Sequence, residues 1–89
     1  MMGKWELEYA KYLDSNHIQW KWNQNRFKYI TGSKTGYYKP DFYLIDEDVY
    51  VEIKGYETKL DQVKWEQFPN TLKVLRGKDL LELGVKILL

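Results

Sequence analysis

Three residues near the middle of the chain are spaced as a charged reaction site requires. Glu52 and Lys54 flank Ile53 in Val51-Glu52-Ile53-Lys54-Gly55, and Asp41 precedes Glu52 by an eleven-residue step in Lys39-Pro40-Asp41-Phe42-Tyr43-Leu44. On a β-strand, residues i and i+2 share a face, so Glu52 and Lys54 project together while Val51 and Ile53 turn into the core. Such a pair is either an ion pair or a metal ligand beside a phosphate-contacting cation. Asp41 decides between them if it reaches the same face. Two carboxylates there suit Mg²⁺ or Mn²⁺, which take oxygen ligands and keep some waters.

Residues 41–45 and 49–54 are β-rich runs joined by the acidic Asp46-Glu47-Asp48, which reads as a solvated turn in a hairpin. Two registers cluster the three residues. Asp41 opposite Glu52 leaves Asp46-Glu47 as a tight two-residue turn, and Asp41 opposite Lys54 leaves a four-residue loop, 46–49. Two-residue hairpins favour Asn-Gly or Asp-Gly, which favours the longer loop here. A slip of one residue would carry Asp41 to the other face.

A fourth group lies upstream. Residues 4–14 read as a helix with Trp5, Tyr9, Ala10 and Leu13 on one face. At ~100° per residue, Glu6 falls in the middle of that apolar face and Glu8 on the opposite, solvated side. A carboxylate aimed at a core is costly unless it is paired or bound to metal. The alternative is a fringe residue whose head reaches solvent.

The remaining elements follow from periodicity and breakers. Residues 17–23 alternate Ile18, Trp20 and Trp22 as a half-buried strand, with 26–30 as its hairpin partner and Thr31 to Gly36 as a loop. Thr58 with Asp61 resembles a helix N-cap, and Leu60, Val63 and Trp65 carry that helix to about Phe68. Residues 72–75 read as a strand, 78–83 as a short helix and Val85 to Leu88 as a final strand. The order is roughly αββββαβαβ: an α/β protein with a single mixed β-sheet and flanking helices, one domain over residues 1–89.

Composition narrows the classes. The chain has no cysteine, so neither disulfides nor a thiolate zinc site can form, which suits a reducing cytoplasm. The N-terminal run lacks the apolar stretch of a signal peptide, and no segment approaches membrane-spanning length. Net charge is only +1, yet it is unevenly spread. Residues 40–57 hold six acids against one Lys, whereas residues 1–39 hold seven Lys/Arg against three acids and residues 58–89 six against four. Carboxylates for a metal are thus flanked by cations for phosphates.

Gly32-Ser33-Lys34-Thr35-Gly36 lacks the order of a nucleotide-binding phosphate loop, so no nucleotide cofactor is expected, although Lys34 can reach a backbone phosphate. His17 is a lone histidine in a turn and reads as structural or solvated. Trp20 and Trp22 read as core or dimer-interface residues.

Taken together, Pro40-Asp41, the eleven-residue step and Glu52-Ile53-Lys54 resemble the Pro-Asp…(Asp/Glu)-X-Lys signature of the PD-(D/E)XK nuclease superfamily. The element order is similar to that superfamily's αβββαβ (restriction-endonuclease-like) core. The run PDFYL…VYVEIKGY looks most like small phage endonucleases, including endonuclease I-type Holliday-junction resolvases and related intron-encoded nucleases. The resemblance implies a Mg²⁺- or Mn²⁺-dependent DNA endonuclease in a host cytoplasm, structure-selective for branched DNA. Asp41, Glu52 and the backbone carbonyl of Ile53 would hold one or two ions, with Glu6 binding directly or through water. Lys54 would orient or deprotonate the attacking water, or stabilise developing charge. Lys34, Lys39, Lys59 and Lys64 are candidate DNA contacts. A homodimer is expected, because a short chain needs more buried surface and because cutting two strands calls for two sites. The competing reading is a DNA-binding or assembly module that keeps the fold without cleaving.

Overall fold

The computed structural model describes residues 3–88. It is an α/β protein with three helices around a mixed sheet, and no described helix is long and apolar enough to cross a membrane. Helix α1 (Lys4–Ser15) buries Tyr9, Ala10 and Leu13. It ends in a Schellman motif: the Ile18 N–H reaches the Leu13 carbonyl and the His17 N–H that of Asp14. His17 sits at the left-handed position (φ 56°), which glycine normally takes, so its place is structural.

The main sheet has the order β1-β4-β5-β6, from strands β1 (Trp20–Trp22), β4 (Phe42–Leu44), β5 (Val49–Ile53) and β6 (Leu72–Leu75). Strands β1, β4 and β5 are antiparallel neighbours, and β6 joins β5 in parallel. A parallel return needs a crossover, here helix α2 (Lys59–Glu66), so the chain after Lys54 must climb over one face of the sheet.

That face and its opposite have different covers. Phe42, Leu44, Val51 and Ile53 meet Tyr9, Ala10 and Leu13 of α1, Leu80 of helix α3 (Gly77–Leu83) and Val85 in the main core. Leu13, Phe42, Val51 and Leu80 are fully buried, and full burial of such side chains contributes about 1.5–3 kcal/mol each. On the other face Tyr50 packs edge-on against Phe27 and Phe68 at ring separations of 5.2 and 5.3 Å.

Phe27 belongs to a second sheet, the ribbon β2 (Phe27–Thr31) and β3 (Lys34–Tyr38). Three sequence expectations change here. The strands do not form one sheet, β1 does not pair with residues 26–30, and 31–36 is not a loop. Trp20 and Trp22 pack on Phe42 from the α1 side, at 5.3 and 4.6 Å, whereas Phe27 packs on the far side. One two-stranded hairpin would not bury both sets on opposite faces of the same sheet. β1 therefore pairs with β4, while β2 turns back at Gly32-Ser33 to pair with β3. Gly32 has φ 59°, as the first position of a type II′ turn requires.

A fourth correction concerns Val85 to Leu88, which forms no strand ladder. After Gly84 (φ 87°) ends α3, this segment runs along α1 instead, where the Trp5 indole donates to the Leu88 carbonyl at 3.3 Å. Glu8 borders this segment rather than open solvent and is ion-paired to Lys11 at 2.9 Å, which departs from the solvated placement expected of it.

Candidate active site

Strands β4 and β5 pair Phe42 with Val51, Tyr43 with Tyr50 and Leu44 with Val49. Extending this register by one position sets Asp41 opposite Glu52, not opposite Lys54. The turn has four residues but spans 45–48 rather than the expected 46–49, because the ladder stops at Leu44 and Asp48 takes up the left-handed conformation (φ 55°). Asp suits that position, since its short polar side chain can bond locally, and Asp48 accepts from the Tyr43 hydroxyl at 2.7 Å.

Asp41 is held at both its backbone and its side chain. Its carbonyl accepts from the Asn23 N–H at 3.0 Å, and its carboxylate accepts from the Ile53 N–H at 2.8 Å. Asn23 is buried, and its side-chain amide reaches the carbonyls of Asn25 and Pro40. This clasp ties the start of the ribbon to its end and fixes where Pro40-Asp41 re-enters the sheet. In the sequence Asn23 is only the end of an apolar strand, and that position is its one signal.

Glu52 is 9% exposed, and its carboxylate accepts from the buried Tyr38 hydroxyl at 3.0 Å. Burial and then the nearby Asp41 charge push Glu52 from its ordinary 4.5 up to about 7, against smaller opposing effects of Tyr38 and Lys54. Burial also raises Asp41, partly offset by the Ile53 N–H, with the Glu6 charge adding to the rise. Burial and the Glu52 charge raise the Tyr38 phenol strongly, so it stays a proton donor to Glu52. The Trp65 indole N–H offsets a little of that rise, although it is buried without a partner in proper hydrogen-bond geometry.

Lys54 is not paired with Glu52 beside it on the strand. Its ammonium meets Asp61 at 3.1 Å. Asp61 is 6% exposed and works with both oxygens: Oδ1 holds Lys54, and Oδ2 accepts from the Thr58 N–H at 2.9 Å in a complete capping box. Burial alone would raise Asp61, but the Thr58 N–H and Lys54 outweigh it and the group is lowered. The capping box was legible from Thr58 and Asp61. That Asp61 also anchors Lys54 was not, because nothing local relates the residue after a strand to the first turn of the next helix.

No family model, curated protein or solved structure matches this chain in comparisons with known proteins.

Glu6 is half-buried at the N-terminal end of α1, where Gly3, Trp5, Glu6, Ile53 and Gly55 line one shallow hollow. The structure thus gathers Asp41, Glu52 and Lys54 at one end of β4–β5, with Glu6 close enough for its charge to act on Asp41. Among the described residues no three His, Cys, Asp or Glu side chains converge tightly enough to cage an ion unaided. Half-buried Asp41 and buried Glu52, whose carboxyl the Asp41 charge raises, form a pair of oxygen donors that a cation would suit. Mg²⁺ binds through one or two carboxylates with retained waters, so the residues present fit it, with the Ile53 carbonyl as a third oxygen.

Lys39 is exposed next to the site, and its charge slightly lowers Asp41. Lys64 lies over the Tyr29 and Tyr38 rings at 5.7 and 6.0 Å, on the side of α2 facing the ribbon. Lys34 and Lys59 are exposed at the ribbon turn and at the start of α2. A larger hollow, about 580 Å³, lies on the opposite face between α1 and α3 and contains none of the site residues.

Proposed function

We propose that this chain is a metal-dependent DNA endonuclease of the PD-(D/E)XK kind, hydrolysing phosphodiester bonds at the Asp41–Glu52–Lys54 site. One observation carries the reading: the half-buried Asp41, just before β4, lies opposite the buried Glu52 of β5 with the Lys54 ammonium nearby, and each of the three is fixed by a separate partner. A purely structural hairpin would pair Glu52 with Lys54 and leave no unbalanced negative charge to bury.

A bound Mg²⁺ or Mn²⁺ would supply an acidified water and neutralise charge on the phosphate oxygens. Asp41 and Glu52 would hold that ion; the Ile53 N–H fixes the Asp41 carboxylate and the Tyr38 hydroxyl fixes that of Glu52. Lys54, anchored by Asp61, presents a positive charge to the phosphate or to the attacking water without moving, and preorganised charge of this kind is a large part of such catalysis. Glu6 adds a further negative group beside Asp41, suited to a metal-bound water. Branched DNA is the proposed substrate and a homodimer the proposed form, matching a short chain with one site per copy.

The test is purified protein with Mg²⁺ on labelled linear, nicked, single-stranded and four-way-junction DNA. Cutting that EDTA abolishes is expected. Undiminished cutting in EDTA, or none with any substrate in Mg²⁺ or Mn²⁺, would overturn the proposal.

A further inference from the structure

Between Asp14 and Asp41 the chain carries five Lys/Arg and no acidic residue. This acid-free stretch contains β1 and the whole of the β2–β3 ribbon, and it ends at the candidate site. Lys21, Arg26, Lys28, Lys34 and Lys39 are all exposed, and none is ion-paired among the described residues. An ordinary solvated surface mixes both signs, so a run of this length with one sign is suited to a polyanion.

The ribbon is held along one face and one edge, and its other face is free. Its inner face is anchored. Phe27 and Tyr38 pack on Phe68 at 4.7 and 5.9 Å, and the Tyr29 ring lies across Gly36, where a Cβ would come within 2.5 Å of the ring. The Gln67 side chain follows α2 and bonds both the N–H (2.8 Å) and the carbonyl (2.6 Å) of Ile30, pinning the outer edge of β2. Lys28, Ile30, Thr35 and Tyr37 point the other way. Ile30 is 52% exposed and Tyr37 64%. Thr31, Gly32, Ser33 and Lys34 at the turn are exposed as well.

We infer that the β2–β3 ribbon is a DNA-binding arm. Arg26, Lys28 and Lys34 contact backbone phosphates, and Tyr37 adds an uncharged contact. The inference rests on the nuclease reading for its choice of DNA as the polyanion. Five strand residues extend about 17 Å, the axial length of about five base pairs at 3.4 Å each, so several phosphates lie within reach. The ribbon runs through Lys39-Pro40 directly into Asp41, and Tyr38 at its base bonds Glu52. A strand gripped by the arm is thereby brought to the site at a fixed distance.

The test is fluorescence anisotropy of a labelled DNA duplex in EDTA, where no cutting occurs, at a series of salt concentrations. The probes are wild type, Arg26→Ala/Lys28→Ala/Lys34→Ala, Tyr37→Ala and Lys73→Ala/Lys78→Ala, whose cations lie outside the ribbon. Each lost phosphate contact lowers the slope of log affinity against log salt by about 0.9. The triple variant is expected to lose roughly 2–3 from that slope and at least tenfold in affinity at low salt, with an unchanged circular dichroism spectrum. Tyr37→Ala is expected to weaken binding at an unchanged slope, and the Lys73/Lys78 variant to bind as wild type. The inference falls if the triple variant keeps wild-type affinity and slope, if the control loses as much as the ribbon variant, or if the wild type binds no duplex. Ribbon-dependent binding without cutting in Mg²⁺ would instead remove the nuclease reading and leave the arm standing.

Discussion

Glu52 offers a test of the site that needs no substrate. Its carboxylate is raised from 4.5 to about 7 by burial and by the adjacent Asp41 charge. The folded protein therefore binds this proton more tightly than the unfolded chain does. The associated stability is whole below about pH 4.5 and is lost as pH rises through about 7. At about 1.4 kcal/mol per pH unit, the full displacement corresponds to on the order of 3 kcal/mol. For a domain of this size, that is a fall in Tm of at least on the order of 10 °C. Asp41 is raised too and acts in the same direction, while Asp61 is lowered and loses its contribution only in more acidic solution. A cation between the two carboxylates stabilises their charged forms against burial and mutual repulsion, so millimolar Mg²⁺ or Mn²⁺ is expected to flatten the decline and raise Tm most at neutral pH. The assay is thermal or urea unfolding from pH 4.5 to 8 in EDTA and in Mg²⁺, for wild type and Glu52→Gln. The Gln side chain keeps the shape and cannot ionise, so the variant's profile should be flatter and insensitive to the metal. A Glu52→Gln profile as steep as wild type, or a wild-type slope unchanged by either metal, would refute the reasoning that Glu52 is a buried, cation-seeking carboxylate.

Other outcomes follow from the same geometry. Asp41→Asn and Lys54→Ala are expected to lower cleavage by at least about a hundredfold while the far-UV circular dichroism is kept. Asp61→Asn retains a capping side chain but frees the Lys54 ammonium, so turnover should fall about tenfold or more with little change in DNA affinity; a wild-type rate would show that Lys54 needs no anchor. Tyr38→Phe removes the donor to Glu52 at a stability cost of about 1–2 kcal/mol, measured by urea unfolding in EDTA, and a smaller cost is expected at low pH, where Glu52 is protonated. Light scattering at micromolar protein, with and without DNA, should give a dimer mass, and a monomer in both conditions would leave single-strand nicking as the expected activity.

Signals within short stretches of sequence account for the local parts. The apolar spacing of Tyr9, Ala10 and Leu13 made α1, and the breakers after Leu13 ended it. Thr58 and Asp61 made the start of α2, and two β-rich runs around an acidic turn made β4–β5 with Asp41, Glu52 and Lys54 at one end. Each of these signals lies within a few residues, where periodicity and capping chemistry act. Tertiary structure decided whatever depends on a partner elsewhere in the chain. Alternation gave Trp20 and Trp22 a common face but did not name the strand they pair with; packing against Phe42 did. Gly32-Ser33 offered a hairpin turn, but β2–β3 lacks a fully apolar face and forms because Phe27 and Tyr38 pack on Phe68 while Gln67 pins its edge. The expected final strand failed because Val85 is buried by packing in the main core, without pairing to a strand. In the site, the sequence supplied the charges and the fold assigned their partners. Lys54 went to Asp61 and Glu52 to Tyr38, because burial forces each polar group to find a partner within reach in space, however far away it lies along the chain.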